Sequence, residues 1–299
     1  MRVLITGAAG FVGPFLAEHC ISEGDAVSLT TQGDSIVELQ KRFPGSAVAA
    51  MDICNSDEVR TVVSQVAPHV IYHLAAVTFI PEAEKNREAA LEANVGGTLK
   101  LLEAARTLKK VHFVFVSSAQ IYTPADFPIL ETAPVAPNSF YGVTKRTAEQ
   151  LAIYYSTPDF IVSIARPFNH SGPGQRADFV LPSFAKQIAE AERGIREAKI
   201  RVGNLNSVRD FLDVRDVVRA YRAMATKGPA NRSSFGEIYN ICSGTGRTVR
   251  SALDGFVARS KVNVNVEVDP ELLRRGEANT IIGDVTKLRT QTGWTQKIS

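Results

Sequence analysis

The sequence predicts an α/β fold in which a parallel sheet is covered by helices on both faces, followed by a smaller α/β domain. Six short apolar segments, rich in Val, Ile and Phe, are typical of buried strands, and helical patterns separate them. Strands and helices that alternate in this order form a doubly wound parallel sheet. The predicted strands cover residues 2–6, 26–30, 47–51, 69–74, 111–117 and 160–165, and the predicted helices cover 56–66, 89–108 and 141–155.

The most informative motif is the glycine-rich junction after the first predicted strand. Glycines allow the backbone to turn sharply and to approach a pyrophosphate, which then sits at the positive end of the following helix. That helix has an apolar side formed by Val12, Phe15, Leu16, His19 and Cys20. The TGxxGxxG spacing is a variant of the Rossmann fingerprint, and it predicts a dinucleotide site at Gly7, Gly10, Phe11, Val12 and Gly13.

A second domain is indicated beyond Arg166-Pro167, where the alternation stops. A helix is predicted at 184–193, and a second one follows Asp213, which we expect to be its N-cap. This second helix and an apolar strand at 237–242 can return to the first domain. We therefore predict a Rossmann domain of residues 1–168 plus about 214–244, and a substrate domain of about 169–213 plus 245–299.

Two further local features are predicted. Ser56 is expected to be the N-cap of the helix at 56–66. The dense charges of residues 247–259 indicate a solvated helix.

Composition excludes several classes of function. Of 299 residues, 44% are hydrophobic and 22% are charged, and the formal net charge of +3 is spread without a long Lys/Arg run, so we expect no nucleic-acid partner. Cys20, Cys54 and Cys242 lack metal-type or redox-type spacing, which indicates reduced thiols and no metal site. No segment approaches the roughly 18 apolar residues of a membrane span. We expect a cytoplasmic protein without membrane contact.

Tyr141 and Lys145 are the second informative feature. Residues four apart share a face of a helix, so the phenol and the ammonium group are neighbours. A nearby cation favours the phenolate and is expected to lower the tyrosine pKa toward the range useful for proton transfer. The lysine can also donate hydrogen bonds to ribose hydroxyls. The pair follows a strand that ends in Ser117-Ser118.

Together these motifs resemble the short-chain dehydrogenase/reductase superfamily, in its extended branch that modifies nucleotide sugars. The resemblance covers nearly the whole chain, through TGAAGFVG, Asp52-Ile53, HLAA at 73–76, NVGGT at 94–98, VSSAQIY and YGVTK. It implies that Ser118 orients a carbonyl group, that Tyr141 is the general acid or base, and that Lys145 is its electrostatic partner. It further implies cofactor contacts at Thr31, Asp52, Ile53, Leu74, Ala75, Ala76, Tyr141, Lys145, Pro167 and Phe168.

Later motifs look like GDP-mannose 4,6-dehydratases and the related GDP-4-keto-6-deoxy-mannose reductases. They are ARPFNHSGPGQ at 165–175, FVLPSFAKQI at 179–188, the segment 202–221 and YNICSG at 239–244. The resemblance implies a GDP-linked sugar as substrate and Arg274 as a clamp on its diphosphate, because guanidinium groups pair with phosphates in bidentate fashion. Surface ion pairing is the alternative for Arg209 and Arg274. The implied substrate contacts are Thr78, Ser118, Gln120, Asn169, Val180, Lys186, Arg209 and Arg274.

Gln120 favours reduction over dehydration. A dehydratase removes a proton at sugar carbon 5, and the family places a Glu where this chain has Gln120. An amide has no useful basicity, whereas reduction at carbon 4 needs no such base. We therefore predict an NAD(P)H-dependent reductase of a GDP-4-keto-6-deoxy-hexose. The alternatives are a nucleotide-sugar 4-epimerase, a 4,6-dehydratase with a base from elsewhere, and a dinucleotide sensor without turnover.

The cofactor preference is predicted from the end of the second strand. Residues 29–32 hold no acid to accept the adenosine ribose hydroxyls, which favours NADP(H), but they also hold no Arg for a 2′-phosphate, so NAD(H) remains an alternative. Asp52 is expected to meet the adenine, or otherwise to cap a turn. His73 is expected to be hydrogen-bonded internally. The resemblance also implies a homodimer formed through helices of the first domain.

Overall fold

The computed structural model describes residues 1–33, 35–123, 128–227, 236–273 and 278–298. The strands in these ranges are β1 (Arg2–Thr6), β2 (Ala26–Thr31), β3 (Ala47–Ala50), β4 (Val70–His73), β5 (Val111–Val116), β6 (Phe160–Pro167), β7 (Asn169–Ser171), β8 (Lys199–Val202), β9 (Val208–Asp213), β10 (Glu237–Ile241), β11 (Gly246–Thr248), β12 (Asn265–Val268) and β13 (Thr280–Ile281). The helices are α1 (Val12–Ser22), α2 (Ser35–Arg42), α3 (Ser56–Val66), α4 (Ile80–Lys85), α5 (Arg87–Leu91), α6 (Gly97–Ala105), α7 (Phe140–Tyr154), α8 (Val180–Glu192), α9 (Val214–Lys227), α10 (Val249–Val257) and α11 (Thr286–Thr292).

Seven parallel strands form the central sheet, in the order β10-β6-β5-β4-β1-β2-β3. Apolar side chains alternate across it: in β1, Val3 and Ile5 belong to the core on one face and Leu4 to the core on the other. Both faces are therefore buried, as expected for a parallel sheet with helices on each side. The predicted doubly wound α/β fold is confirmed.

The strand order reverses beside β1, and this reversal places a crevice at the carboxyl ends of the strands. β4 and β2 are the two neighbours of β1. The turns after β1, β4 and β5 consequently meet at one edge of the sheet, where ligands of such folds bind.

A smaller α/β layer is built from short strands and two helices. β11, β9, β13 and β7 form one sheet, and β12 pairs with β8. α8 and α10 pack together over a separate apolar core that includes Phe184, Val249 and Leu253. The predicted solvated helix at 247–259 is thus wrong in part, because α10 buries one apolar face.

The segment after β9 returns to the large sheet. α9 packs against α1, and β10 pairs with β6. Asp213 accepts a hydrogen bond from the backbone N–H of Arg215 at 2.8 Å, which confirms that it caps this helix. The domain limits given above stay a prediction.

Two helix predictions need correction. The N-cap of α3 is Asn55, which has extended backbone and accepts hydrogen bonds from the N–H groups of Asp57 and Glu58, while Ser56 is the first helical residue. The helix predicted at 89–108 is interrupted by a π-helical turn at Glu92–Gly96. Such π-helical turns are rare and occur mostly as single turns inside α-helices, so a helical pattern alone does not predict one.

No helix in the described part of the chain is both long and apolar enough to cross a membrane. The same residues contain no group of three or more His, Cys, Asp and Glu side chains placed to hold a metal ion. All three cysteines are free thiols, and Cys20 and Cys242 are buried.

Candidate active site

The glycine-rich turn lies directly against the turn that follows β4. Gly7 has a φ of +67°, and a Cβ atom built on it would lie 2.7 Å from the backbone of Ala75. A Cβ on Gly13 would lie 2.2 Å from the Ala8 carbonyl oxygen. Only glycine fits at either position, so the turn and the first residues of α1 form a backbone cradle of the kind that accepts a pyrophosphate.

The other predicted cofactor residues line the same edge of the sheet. Thr31 ends β2, and Asp52 follows β3. The Asp52 carboxylate accepts hydrogen bonds from Gln32 Nε2 at 2.6 Å and from the Cys54 backbone N–H at 2.8 Å. The turn-capping alternative for Asp52 is therefore realised. The turn after β4 contains Leu74, Ala75 and Ala76, and Pro167 is the last residue of β6. Ile53 packs on Gly97. Phe11 stacks on His170, with ring centroids 6.1 Å apart.

Phe168 is enclosed next to the end of β6. Its side chain is buried and packs against Tyr122, with ring centroids 6.3 Å apart. Its backbone N–H donates to the Ile241 carbonyl group at 2.9 Å, and its carbonyl oxygen is hydrogen-bonded to His170 Nδ1 at 3.0 Å. The contact of Phe168 with a cofactor stays a prediction.

Ser118, Tyr141 and Lys145, which we call the Tyr141 cluster, are brought together at the carboxyl end of β5. Ser118 follows β5 in extended conformation, its Oγ accepts a hydrogen bond from the Gln120 backbone N–H at 3.1 Å, and its side chain is near enough to the Tyr141 phenol to influence the pKa of that group. Tyr141 is the second residue of α7, whose N-cap is Ser139. Lys145 lies one turn further, with Nζ 4.7 Å from the centre of the Phe115 ring. All three side chains are buried.

Burial dominates the electrostatics of the cluster. It raises the pKa of Tyr141 to about 12, and the hydrogen bond with Ser118 acts in the opposite direction. It lowers the pKa of Lys145 to about 7, against the attraction of the Glu149 carboxylate. The sequence-based expectation of a lowered tyrosine pKa is thus wrong for the protein alone, because desolvation of the phenolate raises the pKa of Tyr141.

His73 is a structural residue, as predicted. Its ring nitrogens are hydrogen-bonded to Thr6 Oγ1 at 2.8 Å and to Thr98 Oγ1 at 3.0 Å. Burial lowers the pKa of His73 to about 3, and the charge of Lys145 adds to this effect. The neutral ring ties β1, β4 and α6 together behind the cluster.

The predicted substrate residues lie in different parts of the molecule. Gln120 lies in the turn directly after Ser118, Asn169 begins β7, and Thr78 is exposed in the loop after β4. Arg209 is buried, and its Nη1 donates to the Val208 carbonyl group at 2.9 Å, so the surface alternative for this residue is wrong. Val180 begins α8 at the surface.

Lys186 does not join these residues. It is 61% exposed and lies 3.7 Å from Glu190 in an ion pair along α8. Arg274 lies outside the described residues.

Asn94 and Glu149 are two buried polar residues to which the sequence analysis assigns no function. Asn94 sits in the π-helical turn and bonds both backbone groups of Val77, at 2.7 and 3.0 Å, and Thr144 Oγ1 at 2.9 Å. It thereby fixes the loop after β4 against α7, beside Lys145. The NVGGT motif was the available signal for Asn94, and the position four residues after Lys145 was the available signal for Glu149.

The chain matches a known protein family over nearly its whole length. The family described as GDP-mannose 4,6 dehydratase matches residues 4–299. GDP-6-deoxy-D-mannose reductase from Pseudomonas aeruginosa is 32% identical over 304 residues, which cover 100% of this chain and 93% of the relative.

Two solved structures extend the comparison. The structure of RMD from Pseudomonas aeruginosa complexed with NADPH has 28% identity and a TM-score of 0.83, covering 100% of this chain and 95% of that one. UDP-glucose 4-epimerase from Thermus thermophilus, in complex with NAD, has 26% identity and a TM-score of 0.83, with the same two coverages.

Proposed function

We propose that this chain, which belongs to the GDP-mannose 4,6-dehydratase family, reduces the 4-keto group of a GDP-4-keto-6-deoxy-hexose with NAD(P)H and forms GDP-6-deoxy-D-mannose, also called GDP-D-rhamnose. The chain is an NAD(P)-dependent nucleotide-sugar enzyme of the extended short-chain dehydrogenase/reductase type. The observation that carries the more specific proposal is the buried Tyr141 cluster with Gln120, an amide, in the adjoining turn.

The backbone cradle at Gly7 and Gly13 fits a nicotinamide dinucleotide, because no side chain blocks the approach of a pyrophosphate there. When bound, this group supplies the hydride for carbon 4 of the sugar. Residues 7–13 would hold its pyrophosphate, and Lys145 would donate hydrogen bonds to its ribose hydroxyls. Thr31 and Asp52 would lie at the adenosine end.

Tyr141 is suited to give a proton to the sugar oxygen. Its pKa of about 12 keeps the phenol protonated at neutral pH, as a general acid requires. Ser118, whose side chain lies beside the phenol, would orient the carbonyl group in line with that proton. The charged Lys145 would stabilise the phenolate that the transfer leaves behind.

Gln120 separates the candidate reactions. Its amide offers no base for the proton at carbon 5, so dehydration would need a carboxylate from elsewhere. A 4-epimerase would use the same three side chains but would recycle its cofactor. A dinucleotide sensor would need none of the three.

We propose that GDP, rather than another nucleotide, is bound by the second domain. The neighbouring strands β9 and β7, which carry Arg209 and Asn169, support this proposal because residues on adjacent strands can contact one ligand. Arg274 would add a charge against the diphosphate. Lys186 is the weakest member of the predicted set because it already pairs with Glu190 at the surface.

We propose NADP(H) as the preferred cofactor, with NAD(H) as the alternative. The Gln32 amide donates a hydrogen bond to the Asp52 carboxylate. Among the described residues, Asp52 is the one acid at the ends of β2 and β3. Less negative charge is then directed at a 2′-phosphate. The ratio of kcat/KM for NADPH and NADH measures this preference.

The reaction is tested by incubating the protein with GDP-4-keto-6-deoxy-mannose and following nicotinamide absorbance. We expect one equivalent of NAD(P)H to be consumed per GDP-6-deoxy-D-mannose formed. Absence of absorbance loss would contradict reduction. Interconversion of stereoisomers without net cofactor change would select the epimerase, and a 4-keto product from GDP-mannose would select the dehydratase.

The rate of reduction is expected to fall as pH rises through about 7. Lys145 has a lowered pKa of about 7, so it is charged below this pH and loses its charge above it, while Tyr141 stays protonated throughout. Measurement of kcat/KM from pH 5.5 to 9 should show a decline of about tenfold per unit on the alkaline side. A profile that is flat from pH 6 to 9 would contradict this assignment.

We propose a homodimer formed through α6 and α7, which pack side by side. Val143 and Tyr154 are 43% and 83% exposed, and their spacing of eleven residues, about three turns, places them on one face of α7. Leu99 is also exposed on α6. Apolar side chains on two adjacent helix faces are typical of a protein interface.

Val143→Glu is expected to convert the dimer to a monomer by placing a charge in this interface, with the dissociation constant raised at least about tenfold. Sedimentation velocity measures the mass, for which one chain contributes 32.4 kDa. Val37→Glu, at an exposed valine of α2, is the matched control and should stay dimeric. A monomeric wild-type protein would contradict the proposal.

The reaction is proposed to take place in the cytoplasm. Free cysteines are typical of reducing compartments, and all three thiols of this chain are free.

A further inference from the structure

Glu149 is a fully buried acid on the same face of α7 as the Tyr141 cluster. It lies four residues beyond Lys145 and eight beyond Tyr141, so the three side chains stack along one side of the helix. Its relative exposure is 0%. A buried carboxylate is costly unless charged and polar partners surround it, so its position requires an explanation.

Four hydrogen bonds hold the Glu149 carboxylate in one place. Arg166 donates to both oxygens, through Nη2 to Oε1 at 2.6 Å and through Nε to Oε2 at 3.1 Å. Arg146 Nη1 adds a bond to Oε1 at 2.7 Å, and Ser117 Oγ adds one to Oε2 at 2.8 Å. Since each oxygen has two donors, the carboxylate has little freedom to move.

Arg166 is itself fixed from the opposite side. Its Nη1 donates to the Tyr122 hydroxyl at 2.8 Å and to the Glu131 carbonyl group at 3.0 Å. Tyr122 in turn donates to Asn240 Oδ1 at 2.7 Å. The network thus connects α7 with β5, β6 and β10, and it ends at Ser117, the residue next to Ser118.

Lys145 lacks any comparable partner. Within the described ranges it forms no ion pair with a carboxylate, and its Nζ lies over the face of the Phe115 ring, 4.7 Å from the centroid. Glu149 is the group whose attraction favours the charged form of this lysine. The other charged or titratable groups around the cluster are Tyr141 on α7, His73 from β4, Arg166 from β6, Tyr221 from α9 and, beyond Glu149, Arg146.

We propose that Glu149 is a positioning residue that keeps Lys145 charged beside Tyr141, while Arg166 and Ser117 hold its carboxylate at a set distance. The inference rests on the proposed part of Lys145 in the reduction. Because Arg166 shares the carboxylate, the attraction on Lys145 is partial, and the lysine stays titratable near neutral pH. The bond from Ser117 also ties the end of β5, and therefore Ser118, to the same carboxylate.

Direct titration of Lys145 tests the proposal without any substrate. The protein is labelled with 13Cε-lysine, the Lys145 resonance is assigned with Lys145→Arg, and its chemical shift is followed against pH. We expect a midpoint near 7 in the wild type and a midpoint at least one pH unit lower in Glu149→Gln. Glu103→Gln is the matched control: this acid lies on α6, pairs with Arg106 and should leave the midpoint unchanged.

Glu149→Gln leaves Arg166 buried without its acid and can impair folding. The double variant Glu149→Gln with Arg166→Met removes both charges in a folded protein, and its Lys145 midpoint should again be lower than in the wild type, by less than in Glu149→Gln because the Arg166 cation is removed as well. A midpoint within 0.3 unit of the wild type in either folded variant would overturn the proposal.

Activity provides the second readout. In the Glu149→Gln variants the alkaline limb of kcat/KM should move to lower pH with the NMR midpoint, and activity at pH 5.5 should return to within about threefold of the wild type. Equal loss at every pH would mean a purely structural function and would overturn the proposal. If the wild type reduces no 4-keto sugar, the proposed function fails, whereas the titration still decides the function of Glu149.

Discussion

Tyr141→Phe is expected to lower kcat for reduction by about 10²–10⁴-fold, the usual contribution of a general acid. The variant loses the proton that the sugar oxygen receives, but it keeps the ring. Since the ring packs in a small apolar cluster with Ala83 and Ala90, the fold and the cofactor site should persist. Steady-state kinetics, thermal unfolding and cofactor titration measure the three properties separately.

Tyr221→Phe is the matched control for this experiment. Tyr221 is another buried tyrosine, and within the described part of the chain its hydroxyl has no hydrogen-bond partner. Removing that hydroxyl should change kcat by less than about twofold and should leave the protein at least as stable. A Tyr141→Phe enzyme with more than one tenth of the wild-type kcat would show that another group supplies the proton.

Gly13→Ala is expected to abolish cofactor binding, with the dissociation constant raised at least about 100-fold. The added methyl group would lie 2.2 Å from the Ala8 carbonyl oxygen and 2.6 Å from its carbon, and both belong to the backbone. The start of α1 must therefore move away from the turn after β1, which removes the N–H groups that face a pyrophosphate. Overpacking of this kind also costs about 1–3 kcal/mol of stability.

Gly45→Ala is the control, because a Cβ at that position meets nothing within 4 Å. It should bind cofactor as the wild type does. Fluorescence titration with NADPH and thermal unfolding measure both variants. Cofactor affinity within threefold of the wild type in Gly13→Ala would contradict a pyrophosphate cradle at this turn.

The parts of the fold and site that the sequence predicts correctly depend on local spacing. Gly7 and Gly13 belong to one junction between a strand and a helix, and Tyr141 and Lys145 are one helical turn apart. The two members of each pair are therefore close in space because of local secondary structure alone. The strands of the large sheet are apolar on both faces and are evident for the same reason. Ser118 follows from its position at the end of one such strand.

The parts that the sequence does not reveal depend on pairing between distant segments. Glu149 meets Arg166 from β6, and Asn94 meets Thr144 across fifty positions of the chain. No periodic pattern in the sequence predicts either contact. The two- and three-residue strands β13, β7 and β11 are too short to show alternation.

Burial is the second reason why predictions failed. The charge of Lys145 suggests a lowered Tyr141 pKa, but the two groups are so deeply buried that desolvation moves both pKa values toward the neutral forms. Arginine side chains are mostly exposed in proteins, but Arg209 is buried. Depth is a property of the assembled fold, and one sequence gives little information about it.

Transfer of deuterium from [4,4-2H2]NADPH, in which both hydrogens at carbon 4 of the nicotinamide are labelled, to the sugar tests the central claim most directly. If the chain is a 4-ketoreductase, the GDP-6-deoxy-hexose product carries one deuterium, located at carbon 4 by NMR, and one equivalent of oxidised cofactor accumulates. A product without deuterium at carbon 4, or a 4-keto sugar that is returned unchanged by a folded protein with bound cofactor, would contradict the account.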